Sequence, residues 1–151
     1  MIVRVHKKAR QLTVLHDDGE LFTAQVALGP EPFGAKEREG DGKTPEGLYH
    51  ICLYKEIGRY GQGLGLDYPG PKDAEMAFSQ GRINEQTYQS ILSAHAEGRR
   101  PPWGTALGGE IYLHGGGANI DWTQGCIALN PDDMARLFAL RRQIEAVEIL
   151  P

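Results

Sequence analysis

Cys126 and His114 are the two side chains whose types and spacing could carry out chemistry. His114 ends a short apolar stretch and enters a run of three glycines, and Cys126 follows twelve positions later, directly after Gly125. A cysteine nucleophile acts as its thiolate, which a neighbouring protonated histidine stabilises. Backbone N–H groups must also face the developing oxyanion, and a glycine lets substrate approach the backbone closely. The pattern predicts covalent acyl transfer, with the N–H groups of Gly125 and Cys126 as the oxyanion hole.

The proposed base needs a hydrogen-bond partner that fixes its tautomer. No Asp or Asn is an obvious third member, so we expect a backbone carbonyl near Gly115 to take this role. The alternative is structural: a cysteine in an apolar run is usually a buried small hydrophobe. A zinc site on His114 and Cys126 would lack third and fourth ligands, so we expect no metal and no cofactor. Cys52 lies in a predicted strand, and a disulfide to Cys126 is not expected because it would block the chemistry.

The elements around this pair predict a mainly β protein. Alternating apolar residues and turn signals predict strands at 2–6, 11–15, 21–28, 48–54, 110–114 and 147–150. Glycine-rich loops are predicted at 30–47 and 58–70. Helices are predicted at 73–80, at 84–98 with Asn84 as cap, and after Asn130, whose side chain should cap a helix that Pro131 begins.

Length and composition set limits on the protein class. The 151 residues fit a single domain, 1–151, and the net charge of −4 with no basic patch argues against nucleic-acid binding. No apolar run is long enough to span a membrane, and the first residues lack the apolar core of a signal peptide. Gly40 to Thr44 resembles a fragment of a phosphate-binding loop, but Glu37 stands where the motif needs glycine and Pro45 disfavours the helix start.

Three segments together resemble the L,D-transpeptidase catalytic domain (YkuD-like) family. The pattern of His114-Gly115 followed by Thr123-Gln124-Gly125-Cys126 is similar to the family's His-Gly and Ser/Thr-x-Gly-Cys signature. The segment 43–49, Lys-Thr-Pro-Glu-Gly-Leu-Tyr, resembles its Thr-Pro-x-Gly-aromatic turn. The opening strand pair around Leu12 to Val14 also agrees, so the resemblance covers most of the chain.

The resemblance implies a fold and a reaction. The fold would be an L,D-transpeptidase-like β-sandwich with an inserted helical segment at about 72–98 and a C-terminal helix. Cys126 would be acylated by a peptidoglycan stem peptide at its third, diamino acid residue, with release of D-Ala and transfer to an amine. His114 would be the base, the Gly115 carbonyl would orient it, and Gly125 would help form the oxyanion hole. Carbapenems, which mimic the acyl donor, would form a covalent adduct.

Two positions depart from the family pattern. Gln124 stands where many members have His, and Ala128 stands where many have Arg or Asn. An L,D-carboxypeptidase, with water as the acceptor, and a noncatalytic wall-binding module therefore stay open as alternatives. The residues expected to contact substrate are Tyr112, Trp122, Thr123, Gln124, Arg99 and Arg100, the two arginines as carboxylate ligands or else as part of a solvated loop. The location would be the periplasm or cell envelope if an export signal has been removed.

Overall fold

The computed structural model describes all 151 residues and is mainly β, as predicted. The strands are β1 (Ile2–His6), β2 (Gln11–His16), β3 (Gly19–Ala27), β4 (Gly47–Tyr49), β5 (Ile51–Gly58), β6 (Gly61–Leu66), β7 (Tyr112–His114), β8 (Ile127–Leu129) and β9 (Ala146–Leu150). The helices are α1 (Pro71–Ser79), α2 (Glu85–Ala96) and α3 (Pro131–Ala139), followed by a short 3₁₀ turn at Arg141–Gln143.

All nine strands belong to one hydrogen-bonded sheet in the order β4-β9-β1-β2-β3-β8-β7-β6-β5. The pairs β1–β9 and β7–β8 are parallel, and the other neighbours are antiparallel. The sheet curls towards a barrel, so its two halves face each other across one core. That core is a cluster of 26 buried residues to which most strands and all three helices contribute.

The opening meander follows from the alternation of residue types. Val3 and Val5 of β1 face the core at 0% exposure, and Val14 and Leu12 of β2 lie opposite them. Residues between them point away from the core, as the period of two along a strand requires. The predictions of three strands at this end of the chain are confirmed.

Two predictions in the middle of the chain are wrong. The strand predicted over 48–54 is interrupted at His50, because β4 pairs with β9 whereas β5 pairs with β6. The glycine-rich loop predicted over 58–70 contains strand β6 instead. Glycine has low strand propensity, but at Gly65 a Cβ would lie 3.0 Å from the Tyr112 ring, so this strand needs glycine for close packing.

The three helices lie where the sequence predicts them. Asn84 caps α2 by accepting a hydrogen bond from the Thr87 N–H at 2.9 Å. Pro131 begins α3, but the predicted side-chain cap from Asn130 is absent. The Asn130 Oδ1 instead accepts the Ala118 N–H at 3.0 Å, which ties the loop after β7 to the start of α3.

Candidate active site

The parallel pairing of β7 and β8 brings the two reactive side chains together. Leu113 pairs with Ile127 and His114 pairs with Ala128, which places Cys126 level with Tyr112. Leu113 and Ile127 are fully buried in the core. Because side chains alternate along a strand, Cys126 and His114 share the opposite face as diagonal neighbours. Both line one cavity of about 320 Å³.

The His114 ring is held in one tautomer by the backbone. Its Nδ1 lies 2.6 Å from the Gly115 carbonyl oxygen. A carbonyl can only accept, so Nδ1 carries the proton and Nε2 of the neutral ring has its lone pair free. Burial lowers the pKa of His114 below its ordinary 6.5, partly offset by the bond to Gly115. His114 is therefore neutral at physiological pH and available as a base.

Two aromatic rings enclose the imidazole. Tyr60 stacks on His114 with ring centroids 4.8 Å apart, and Trp122 meets it edge-on at 5.5 Å. The Trp122 indole N–H donates to the Gly117 carbonyl at 2.9 Å. At Gly116, where φ is +109°, a Cβ would lie 2.8 Å from the Trp122 ring. The glycine run after His114 thus makes room for the ring that packs against the base.

The Cys126 thiol lies between two backbone groups. The Tyr112 N–H donates to Sγ and the thiol donates to the Glu110 carbonyl, each at 3.4 Å. Glu110 has a positive φ of 56°, which ends the β conformation there, so the strand begins at Tyr112 and not at 110 as predicted. This bend turns the Glu110 carbonyl towards Sγ.

The thiol and the imidazole are both neutral at rest. Burial is the largest effect on the Cys126 thiol and raises its pKa, and the negative charge of Glu110 raises the pKa further. The hydrogen bond from the Tyr112 N–H and the positive charges of Lys36 and Lys55 lower the pKa by less. With the pKa of His114 lowered, the resting pair is thiol and neutral imidazole. A neutral thiol and a neutral imidazole mean that the Cys126 proton has to be transferred during attack, and His114 stays the predicted acceptor.

A compact turn presents the nucleophile. The Thr123 hydroxyl donates to the Cys126 carbonyl at 2.8 Å and accepts the Gly125 N–H at 3.2 Å. The buried Thr44 hydroxyl donates to the Gly125 carbonyl at 2.7 Å. Gly125 has φ of +135°, and a Cβ there would lie 2.7 Å from the Lys43 carbonyl oxygen. The hydroxyl of Thr44, in the Thr-Pro turn, therefore fixes the position of the turn at Gly125 and Cys126, which we call the Gly-Cys turn.

These contacts change two sequence-based assignments. The Gly125 N–H is already bonded to Thr123, so in this conformation it does not face the cavity, which leaves the Cys126 N–H as the predicted oxyanion donor. Thr123 is 6% exposed and both functions of its hydroxyl are used within the turn, so these contacts support a role in positioning the nucleophile and not the predicted contact with substrate.

The other predicted substrate residues divide between two places. Tyr112 lines the Cys126 cavity and Trp122 packs against the base, whereas Gln124 is exposed and does not line the cavity. Arg99 and Arg100 do not line this cavity and border a different one. The stacked Tyr60 and the charged wall residues Lys55, Arg59 and Glu110 were not found from sequence. Lys55 lies in β5, Arg59 and Tyr60 lie in the turn between β5 and β6, and Glu110 precedes β7, so no single local pattern marked them.

The chain belongs to the L,D-transpeptidase catalytic domain (YkuD) family, whose model matches residues 1–149. It is similar in fold to Pgp2, a helical cell shape determining protein from Campylobacter jejuni, with 23% identity and a TM-score of 0.65 over 99% of this chain and 46% of Pgp2. It is also similar to Bd1075 from Bdellovibrio bacteriovorus, with 20% identity and a TM-score of 0.59 over 99% of this chain and 46% of that protein. For L,D-transpeptidase 1 of Mycobacterium tuberculosis the identity is 17% and the TM-score 0.52, over 99% of this chain and 60% of that one.

The chain spans about half the length of Pgp2 and of Bd1075, since 46% of each is covered. No curated protein sequence matches it. No helix combines the length and apolar character needed to cross a bilayer. Cys52 and Cys126 are both free, as expected.

Proposed function

We propose that the protein is a peptidoglycan L,D-transpeptidase that works through a Cys126 acyl-enzyme. The observation that carries the proposal is that Cys126 and His114 line one cavity, with the His114 Nδ1 proton bonded to the Gly115 carbonyl and Nε2 left free as a base. Membership in the family supports the substrate class. Because such substrates lie in the cell wall, we place the action of the protein in the cell envelope.

The acylation step follows from the neutral resting pair. As the Cys126 sulfur attacks the carbonyl of the stem peptide's diamino acid, its proton moves to Nε2 of His114. The Cys126 N–H stabilises the negative charge that develops on the carbonyl oxygen. The bond between that carbonyl and the nitrogen of D-Ala then breaks, and the imidazolium returns its proton to the leaving amine. The products are free D-Ala and a thioester.

The second step releases the acyl group. An amine of another stem attacks the thioester, neutral His114 takes a proton from the attacking nitrogen, and the sulfur leaves and is reprotonated. Water in place of the amine would make the protein an L,D-carboxypeptidase. The observation that favours this alternative is that the exposed Gln124, two positions before Cys126 in the chain, stands where the resemblance implies His in many family members. A noncatalytic wall-binding module would carry out neither step.

Mass spectrometry of the intact protein after mixing with a carbapenem tests the nucleophile. The related structure of the transpeptidase LdtMt1 was solved in complex with imipenem, which makes this probe suitable. We expect one covalent adduct on the wild type and on Cys52→Ala, and none on Cys126→Ala. Cys52 is the matched control because it is the other free thiol, and burial raises its pKa to about 11. An adduct that persists in Cys126→Ala, or no adduct on folded, reduced wild type, would contradict the mechanism.

Incubation with a tetrapeptide stem, with and without an amine acceptor, separates the candidate activities. A transpeptidase releases D-Ala and forms a cross-linked product when the acceptor is present. A carboxypeptidase releases D-Ala and gives the tripeptide in both cases. A binding module releases no D-Ala, and its affinity for the stem should be the same in Cys126→Ala.

A further inference from the structure

A second cavity of about 560 Å³ lies at the far end of β5 from the Cys126 cavity. Its wall includes Cys52, Asp67 and His95 together with the exposed Arg99 and Arg100. The two arginines are the residues predicted from sequence to bind substrate carboxylates, and the Cys126 site leaves them unused.

The cavity offers one cation without a carboxylate partner. Arg99 is paired with Glu97 at 2.5 Å. Asp67 is occupied by the backbone N–H of His50 at 2.8 Å and lies within 3.7 Å of both imidazoles at the wall, those of His50 and His95. Arg100 takes part in no ion pair of the chain, and its guanidinium lies over the Trp103 ring at 4.6 Å. It is held by a ring, with its N–H groups free for an anion.

A row of cationic and aromatic side chains in contact with one another runs from one cavity to the other. Arg100 covers Trp103, the Trp103 ring meets Tyr112 edge-on at 5.8 Å, and Lys55 lies over Tyr112 at 4.7 Å. Tyr112 and Lys55 line the Cys126 cavity, whereas Arg100 lines the second one. Gly65 allows the two rings to lie close to the sheet, because a Cβ there would be 3.0 Å from Tyr112 and 3.4 Å from Trp103.

The two cavities adjoin along β5. Cys52 lines the second cavity and Lys55 lines the first, and the two residues are three positions apart on this strand. An extended peptide that runs over the rings of Tyr112 and Trp103 would pass from the Cys126 cavity to Arg100.

We propose that the second cavity is a remote subsite of the acyl donor, in which Arg100 binds a free carboxylate of the donor upstream of the scissile carbonyl. This inference rests on the proposed function. The donor lies along Trp103 and Tyr112, with its reacting carbonyl at Cys126. Such a contact would contribute through donor binding and orientation and would leave the chemistry at Cys126 unchanged.

Two synthetic donors test the subsite, one with the upstream carboxylate free and one with it amidated. Acyl-enzyme formation and D-Ala release are measured without an acceptor, so that only the donor side is observed. We expect Arg100→Gln to lower kcat/KM for the carboxylate donor about tenfold or more, the size of one lost charge-assisted hydrogen bond. The amidated donor should react at the same reduced rate with wild type and with Arg100→Gln.

Three controls keep the outcome interpretable. Acylation by a carbapenem, which is too small to reach the second cavity, should not change in Arg100→Gln. Arg136→Gln removes a guanidinium that also stacks on a ring, Phe22 at 4.1 Å, but lies outside both cavities, and should have no effect on either donor. Arg99→Gln should have a smaller effect than Arg100→Gln, because Arg99 is already paired.

Other results would overturn the proposal. Equal losses for both donors, or a matching loss of carbapenem acylation, would show that Arg100 acts only through structure. A loss confined to the transfer step when an acceptor is added would assign the cavity to the acceptor. If wild type releases D-Ala from neither donor, the proposed function fails. Calorimetric binding of both donors to Cys126→Ala, with and without Arg100→Gln, then still tests the carboxylate contact by itself.

Discussion

The hydrogen bond from Thr44 to Gly125 links the Thr-Pro turn to the nucleophile, and Thr44→Val removes it with little change in side-chain shape. Thr44 is 1% exposed, and its hydroxyl donates to the buried Gly125 carbonyl at 2.7 Å. Valine places a methyl group where the hydroxyl was, so the carbonyl loses its donor without gaining access to water.

The expected cost is that of an unsatisfied buried acceptor, about 1–3 kcal/mol of unfolding free energy. For a chain of this length, each kcal/mol lowers Tm by about 2–4 °C, so we expect a fall of about 2–12 °C. The released carbonyl also lets the turn at Gly125 shift, and misplacement of a reacting atom can cost up to about 100-fold in rate. We expect carbapenem acylation of Cys126 to slow by about 10- to 100-fold. Urea unfolding and intact-protein mass spectrometry over time measure the two effects.

Thr13→Val is the matched control. Thr13 lies in β2, and its hydroxyl makes an exposed contact of 3.4 Å with Thr23. The same chemical change there should alter stability by less than about 0.5 kcal/mol and leave acylation unchanged. If Thr44→Val behaves like Thr13→Val in both assays, the Thr-Pro turn does not hold the nucleophile and the reasoning is refuted.

Two further predictions concern the base and the loop beside it. Because neutral His114 accepts the proton, the carbapenem acylation rate should fall about tenfold per pH unit below the lowered pKa of His114, and it should stay level from 6.5 up to the ordinary thiol value of 9.0, since burial raises the pKa of Cys126. A decline in the rate within that plateau would indicate a thiolate–imidazolium pair instead. Gly116→Ala should lower unfolding free energy by about 1–3 kcal/mol more than Gly117→Ala in thermal or urea unfolding. Both positions have positive φ, but only at Gly116 would the Cβ meet Trp122, at 2.8 Å. Equal losses of unfolding free energy in the two variants would show that the contact with Trp122 does not affect stability.

Local sequence signals were sufficient for the parts of the fold that depend on neighbours along the chain. Alternation in β1 and β2, the Asn84 cap of α2 and Pro131 at the start of α3 each express a preference of a few adjacent residues. The prediction failed at β6, where Gly65 leaves space for the ring of Tyr112 from β7 and the ring of Trp103 from the connector. It also failed at Asn130, whose side chain bonds Ala118 across the loop and does not cap its own helix.

The same division holds at the candidate site. Residue types and the spacing of His114, Gly125 and Cys126 pointed to a nucleophile, its base and a tight turn, because each of these requirements is visible in a short motif of the sequence. Only the tertiary structure decided that the pair is neutral, since the pKa values depend on burial and on backbone groups from Glu110, Tyr112 and Gly115.

Contacts between distant segments set the remaining features. Tyr60 stacks on His114 because the β5–β6 hairpin folds beside β7, and Thr123 turns inward because the Gly-Cys turn needs its hydroxyl. Arg100 lies outside the Cys126 cavity and lines a second one, which no local pattern predicts. The sequence alone identified which groups could react. Burial, ring packing and the pairing of distant strands, which no single segment contains, determined their protonation and the extent of the surface around them.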